Sequence, residues 1–199
     1  MRPAGMRPAV VKIGGGLLGA PGALGRVGTA VATLGRREPL VVVPGGGPLA
    51  GAVRELDREV GLSPSAAHWM AILAMDQYGH LLAERIRGSR LVEEPGAIAG
   101  VLAGGEIAVL APSRWLRAAD TLPHSWDATS DTVAAFVAGA LDAVRLDLIK
   151  PVEMGYEGVD ACFASVVPAG LEVRILGWER FVRDVHAAAP PDPAAGPAG

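Results

Sequence analysis

The sequence predicts an α/β protein built around a mainly parallel sheet with helices on both faces. Three observations carry this. Short apolar runs at residues 9–13, 40–44, 107–111 and 146–150 are too brief for helices and read as buried strands. Segments with helical patterning separate them, which is the alternation of βα units. Two glycine turns, Gly14-Gly15-Gly16 and Gly45-Gly46-Gly47, follow directly on the first two runs. In such sheets ligands bind beyond the carboxyl ends of the strands. Lys12, both glycine turns, Lys150 and Pro112-Ser113 all fall at such ends.

The elements follow in order. After the first strand, residues 24–34 form a weaker amphipathic helix, with Gly25 and Gly28 against it. The second glycine turn leads through Pro48 into a helix over 49–60. Ser63-Pro64 is a capped helix start, and the helix runs to about Ile86. Residues 90–92 read as a short strand, 95–103 as a short helix, and 171–176 as the last strand. A closing helix covers 178–186. Residues 1–8 form a flexible leader, 9–186 one domain, and 187–199 a disordered tail of alanine, proline and glycine.

Composition narrows the partners. The chain has 199 residues, half of them apolar, with a formal net charge of −3 and no block of basic residues, which argues against nucleic acid or an anionic membrane. One cysteine, Cys162, excludes an internal disulfide and suits a reducing cytoplasm. No apolar stretch approaches the roughly 20 residues that span a bilayer.

The most informative stretch is Asp127-Ala-Thr-Ser-Asp131, which opens an almost wholly apolar helix over 132–141. Ser130 or Thr129 is expected to cap that helix, with Asp127 one turn from Asp131 on the same side. An acid at the mouth of a buried helix either neutralises the helix dipole or serves a site. Glycine runs after strands present backbone amides to phosphate. Neither run is a Walker loop or a dinucleotide fingerprint. Lys12 is either a charge that stabilises a transferring phosphoryl group or a lysine extending from a strand end. His124 and Trp126, beside the acidic motif, and His68-Trp69 are either acceptor-pocket residues or structural ones. The helix that carries His68, Trp69, Asp76, Gln77 and Tyr78 is either a pocket wall or a subunit interface.

Val11-Lys-Ile-Gly-Gly-Gly16, Val43-Pro-Gly-Gly-Gly47, Ser130-Asp-Thr-Val-Ala-Ala135 and the stretch from Leu148 to Gly158 occur in an order that resembles the amino acid kinase superfamily. The stretches from Ala67 to Gly79 and from Leu122 to Asp131 resemble its branch acting on aminomethylfuran-methyl phosphate in methanofuran biosynthesis. The resemblance implies a three-layer αβα sandwich, a homodimer or higher homo-oligomer, and ATP with Mg²⁺ carried by the nucleotide phosphates. The acceptor implied is a small phosphate monoester. Lys12, Asp131 and Lys150 would be catalytic. Gly14, Gly15, Gly16, Gly155, Tyr156 and Gly158 would join the two lysines on the nucleotide. Gly45, Gly46, Gly47, His68, Trp69, His124, Trp126, Asp127 and Ser130 would hold the acceptor, and no protein-bound metal is implied. Two departures keep a second reading open. Only 12 residues, none of them Lys or Arg, separate Gly158 from Leu171, and Lys150 stands where many relatives have Thr or Ser. The alternative is a non-catalytic binding or scaffold subunit with an eroded nucleotide site.

Overall fold

A computed structural model describes residues 7–188; the expected leader through residue 6 and the tail from residue 189 lie outside the described residues. The chain runs β1 (Ala9–Ile13), α1 (Ala23–Gly35), β2 (Leu40–Pro44), α2 (Gly47–Val60), α3 (Pro64–Arg85) and β3 (Ser89–Val92). It continues with α4 (Pro95–Ala103), β4 (Ile107–Leu110), α5 (Ser113–Ala119), α6 (Ser130–Ala140) and β5 (Arg145–Lys150). The last elements are α7 (Phe163–Val166), β6 (Glu172–Gly177) and α8 (Trp178–Ala187). Short 3₁₀ turns cover Gly15–Gly19 and Tyr156–Gly158. Residues 7, 8 and 187, at the edges of the described range, take part in the fold. Arg7 Nε donates to Asp142 O at 2.9 Å, Pro8 O accepts from Val144 N at 3.0 Å, and Ala187 belongs to α8.

The six strands form one sheet in the order β3-β4-β2-β1-β5-β6, parallel at every pairing. β1 is central, with β2 on one side and β5 on the other, so the sheet order reverses there and the crevice at their carboxyl ends is a topological switch point. Side chains alternate across the pleat. Val11, Ile13 and Ile149 face the layer that holds Val27, Phe181 and Val182 of α1 and α8. Val10, Leu146 and Leu148 face the opposite layer, with Val133 and Val137 of α6. Lys12 and Lys150 fall on this second face by the same alternation. Since Lys12 is in register with Leu148, the two amines emerge from adjacent strands beneath the start of α6.

α6 is a buried helix, as its uniform apolarity predicts, with seven of its eleven residues buried. α2 is the opposite case and buries none of its residues fully. Leu49, Leu56 and Val60 on α2 and Leu73 on α3 are exposed. Among the described residues no helix is long and apolar enough to cross a membrane.

At the sheet's other face β5 carries a fully buried carboxylate, Asp147. It meets Arg174 Nε at 2.6 Å and Arg145 Nε at 3.0 Å, and Arg145 reaches Glu38 at 2.6 Å. Asp147 and Arg174 are register partners, so the ion pair ties β6 to the sheet's β5 edge. Removing a buried partner strands its guanidinium groups. Asp147→Ala is expected to lower stability by about 2–3 kcal/mol, somewhat below the fully buried case because Arg174 is partly exposed. Urea denaturation measures this.

Candidate functional site

Three buried ionisable side chains meet at the carboxyl end of β1. Lys12, Asp131 and Lys150 are 4, 4 and 7% exposed. Asp131 Oδ2 accepts from Lys150 Nζ at 2.6 Å. Its Oδ1 lies 2.9 Å from Lys12 Nζ, an ion pair without hydrogen-bond alignment. Lys150 Nζ also donates to Gly158 O at 2.7 Å. Burial pushes the Asp131 carboxyl up, but the two ammonium groups outweigh it and hold the group below the usual carboxylate range. Burial and the neighbouring Lys12 charge pull Lys150 down, only partly opposed by Asp131. Two cations therefore share one carboxylate in a water-poor place, which leaves a positive excess suited to an anion. These are also the chain's only two lysines; all 16 other basic side chains are arginines.

The glycine turns pack on each other, backbone to backbone. A Cβ on Gly15 would lie 2.1 Å from Gly47 Cα, and one on Gly45 would lie 2.6 Å from Gly15 N. A Cβ on Gly14 would meet Ile149 O at 2.7 Å. Gly47 also has a φ of +55°, which favours glycine. The glycines thus let the β1 and β2 turns and the end of β5 converge. The amides of Gly15, Gly16, Gly46 and Gly47 occupy cap or first-turn positions, where a helix supplies no acceptor of its own. Gly16 faces the Pro151 ring.

The expected cap of α6 is overturned. Neither Ser130 nor Thr129 caps the helix through its side chain. The acceptor is Asp160, 28–31 residues onward. Its Oδ2 receives Thr129 N at 3.0 Å, Thr129 Oγ1 at 2.9 Å and Thr132 N at 3.0 Å, while Oδ1 receives the Thr132 hydroxyl. Asp127 is corrected too. It precedes the helix, is exposed, and takes part through its backbone, receiving Cys162 N at 2.9 Å. Its carboxylate does not join Asp131.

A cleft of about 250 Å³ opens between α2, α3 and the start of α6. Gly46, Gly47, Arg54, His68, Trp126 and Ser130 are among its lining residues. Trp126 is held on two sides: its Nε1 donates to Asp57 Oδ2 at 2.7 Å, and the Arg54 guanidinium lies 4.4 Å over its ring. His68 stacks on His124 at 4.4 Å, and His124 Nε2 is 2.9 Å from Asp120 Oδ1. Burial, then the neighbouring His124, pushes His68 down to about 4. Trp69 stands behind this wall rather than in it, edge-on to both histidines with Arg117 4.4 Å over its ring. On the same helix Asp76 has a structural task, accepting Ser113 N at 3.0 Å at the start of α5. Burial raises the Tyr78 hydroxyl to about 12.

On the other side of the lysines the loop after β5 is open. Tyr156 and Val152 are about 60% exposed, and Gly155 N bonds Glu157 Oε1 at 2.8 Å. From this loop the Gly158 carbonyl accepts a hydrogen bond from Lys150. Among the described residues no group of three or more His, Cys, Asp or Glu side chains is placed to hold a metal ion. Sequence reasoning missed Asp160, Arg54 and Asp57. The last two sit three apart on α2 and carried no motif, and Asp160 acts across sequence.

The depressed Asp131 carboxyl sets a direction with pH. Its stabilising contribution is full above the ordinary carboxylate pKa of about 4 and is lost as pH falls below it. Wild type is expected to exceed Asp131→Asn in stability at pH 7, with the gap narrowing toward pH 3. Urea titrations at each pH read the difference.

The model of the amino acid kinase family matches residues 7–154. The chain is 31% identical over 118 residues to [5-(aminomethyl)furan-3-yl]methyl phosphate kinase of Methanocaldococcus jannaschii, an alignment covering 59% of this chain and 54% of that protein. The match thus spans about half the relative's length. The fold is similar to the crystal structure of uridylate kinase from Archaeoglobus fulgidus, with a TM-score of 0.66 at 16% identity, covering 92% of this chain and 97% of that one. The sheet order, the paired glycine turns and the Lys12–Asp131–Lys150 cluster thus sit in a chain that belongs to the amino acid kinase family.

Proposed function

We propose that the protein is an ATP-dependent kinase that phosphorylates a small phosphate monoester, an aminomethylated furan phosphate in the making of a methanofuran-type C1 carrier. The observation that carries this reading is the buried pair Lys12 and Lys150 sharing the single carboxylate of Asp131. ATP would supply the phosphoryl group, with Mg²⁺ carried by its phosphates. The residues present fit such a polyanion: two ammonium groups exceed one carboxylate, and glycine-turn amides lie at the same strand ends. Lys12 and Lys150 neutralise charge on the transferred group, Asp131 keeps both amines in place, and the turns position the two phosphates. A phosphate oxygen is already a nucleophile, so no proton has to be removed. His68, neutral at pH 7, then serves as a flat wall.

The cleft supports a small acceptor. Its volume of about 250 Å³ lies below the roughly 300–1,000 Å³ typical of drug-sized ligands. Trp126 and His68 offer aromatic surfaces for a flat ring, while Arg54 brings positive charge beside the glycine turn. The name of the Methanocaldococcus jannaschii relative supports the furan phosphate. The exposed residues Leu49, Leu56, Val60 and Leu73 support at least a dimer, and a single cysteine suits the cytoplasm.

A second reading, a binding or scaffold subunit without turnover, is favoured by the openness of Tyr156 and Val152 on the nucleotide side. Coupled detection of ADP across a panel of small phosphate monoesters separates the two. The kinase reading expects ADP formation with furan-type monoesters and a fall of about 1,000-fold or more in Lys12→Ala. Full activity in that variant removes Lys12 from the mechanism. The scaffold reading expects a thermal shift with the monoester and none with ATP. Trp126→Ala, by enlarging the cleft, is expected to raise KM for the small acceptor and admit bulkier monoesters, read in the same assay.

A further inference from the structure

We propose that Asp160 is a positioning residue: its carboxylate clamps the loop after β5 onto the first turn of α6, and so sets Asp131 and Lys150 against Lys12. Helix caps are usually local. This one joins two segments far apart in sequence, and each segment supplies a partner that Lys150 Nζ bonds. The first turn of α6 carries Asp131. The loop carries Gly158, whose carbonyl receives Lys150 Nζ at 2.7 Å. Four donors, the amides and hydroxyls of Thr129 and Thr132, converge on Asp160. A second tie, Cys162 N to Asp127 O at 2.9 Å, runs alongside the first.

The clamp has an electrostatic side as well. The charged groups facing Lys150 are Lys12 from β1, Asp131 from α6 and Asp160 from the loop, and Asp160 is one of the groups that favour its protonated form. Asp160 touches no reacting atom in this arrangement. Its effect passes through Lys150, held between a carboxylate and a carbonyl that Asp160 keeps in register. Side chains that act on substrate are held in productive geometry by such supporting bonds.

The importance for phosphoryl transfer rests on the kinase reading, but the clamp can be tested without turnover. Because the chain has only two lysines, ¹⁵N-lysine labelling gives two Nζ titrations, and Lys150→Arg assigns them. In Asp160→Asn the Lys150 midpoint is expected to fall below that of wild type. If the chain turns over, kcat for the monoester should drop about tenfold or more with little change in its KM, and the alkaline limb of the rate profile should move down with Lys150. Thr132→Val, which removes one of the four donors, should shift the same midpoint by less and serves if Asp160→Asn does not fold. Glu153→Gln, in the same loop but bonded to Gly177 and Arg180, should leave Lys150 unmoved. A variant that loses thermal stability yet keeps the wild-type Lys150 midpoint would make Asp160 a plain helix cap and overturn the proposal. Absence of ADP formation in wild type would count against the kinase reading alone.

Discussion

The structure turns on one carboxylate shared by two ammonium groups in a place nearly shut off from water. Isolated buried charges cost several kcal/mol each, so Asp131 is what allows Lys12 and Lys150 to end where they do. Among the described residues no further buried acid meets the remaining positive excess. It is tolerable because Gly158 O and the nearby Asp160 share the load. The restriction of lysine to these two positions fits the chemistry: an ammonium is a compact point charge, whereas the fork of an arginine needs planar room. Arginine pairs with carboxylates elsewhere, as at Asp147, and lies over the rings of Trp69 and Trp126.

Topology delivers the three groups without any special backbone. Parallel pairing puts the ends of β1, β2 and β5 side by side, and pleating sends Lys12 and Lys150 to the α6 face. α6 then arrives with its first turn over those ends, its apolar body fixed by Val133, Val137 and the β1 and β5 side chains beneath. The same geometry divides labour around the crevice. The helical pair α2–α3 forms a compact aromatic and cationic wall on one side, while the short loop after β5 leaves the other side exposed.

Much of this was legible in the sequence because its signals were local. The strands were runs of Val, Ile and Leu between glycines, Pro64 marked the start of α3, and Lys12 broke an apolar run directly before a glycine turn. What stayed hidden depends on distance along the chain or on shortness. Asp160 caps a helix that begins 30 residues earlier, and Thr129, which looked like a cap, is one of its donors beside Thr132. Asp127 shared a motif with Asp131 but sits ahead of the helix, where four-residue spacing implies no common face. Trp69 looked like a companion of His68, yet adjacent helical positions diverge by about 100° and it turned behind the wall. α5, α7 and the 3₁₀ turns are too short for any periodicity to show.

The contact between Gly15 and Gly47 has a mechanical meaning. No side chain separates the turn after β1 from the turn after β2, and their main chains touch. The two turns therefore behave as one stiff block anchored in the centre of the sheet, and a hinge cannot run between them. On the kinase reading, the spacing of two phosphates held there is set by main-chain contact alone, like the gap of a fixed gauge.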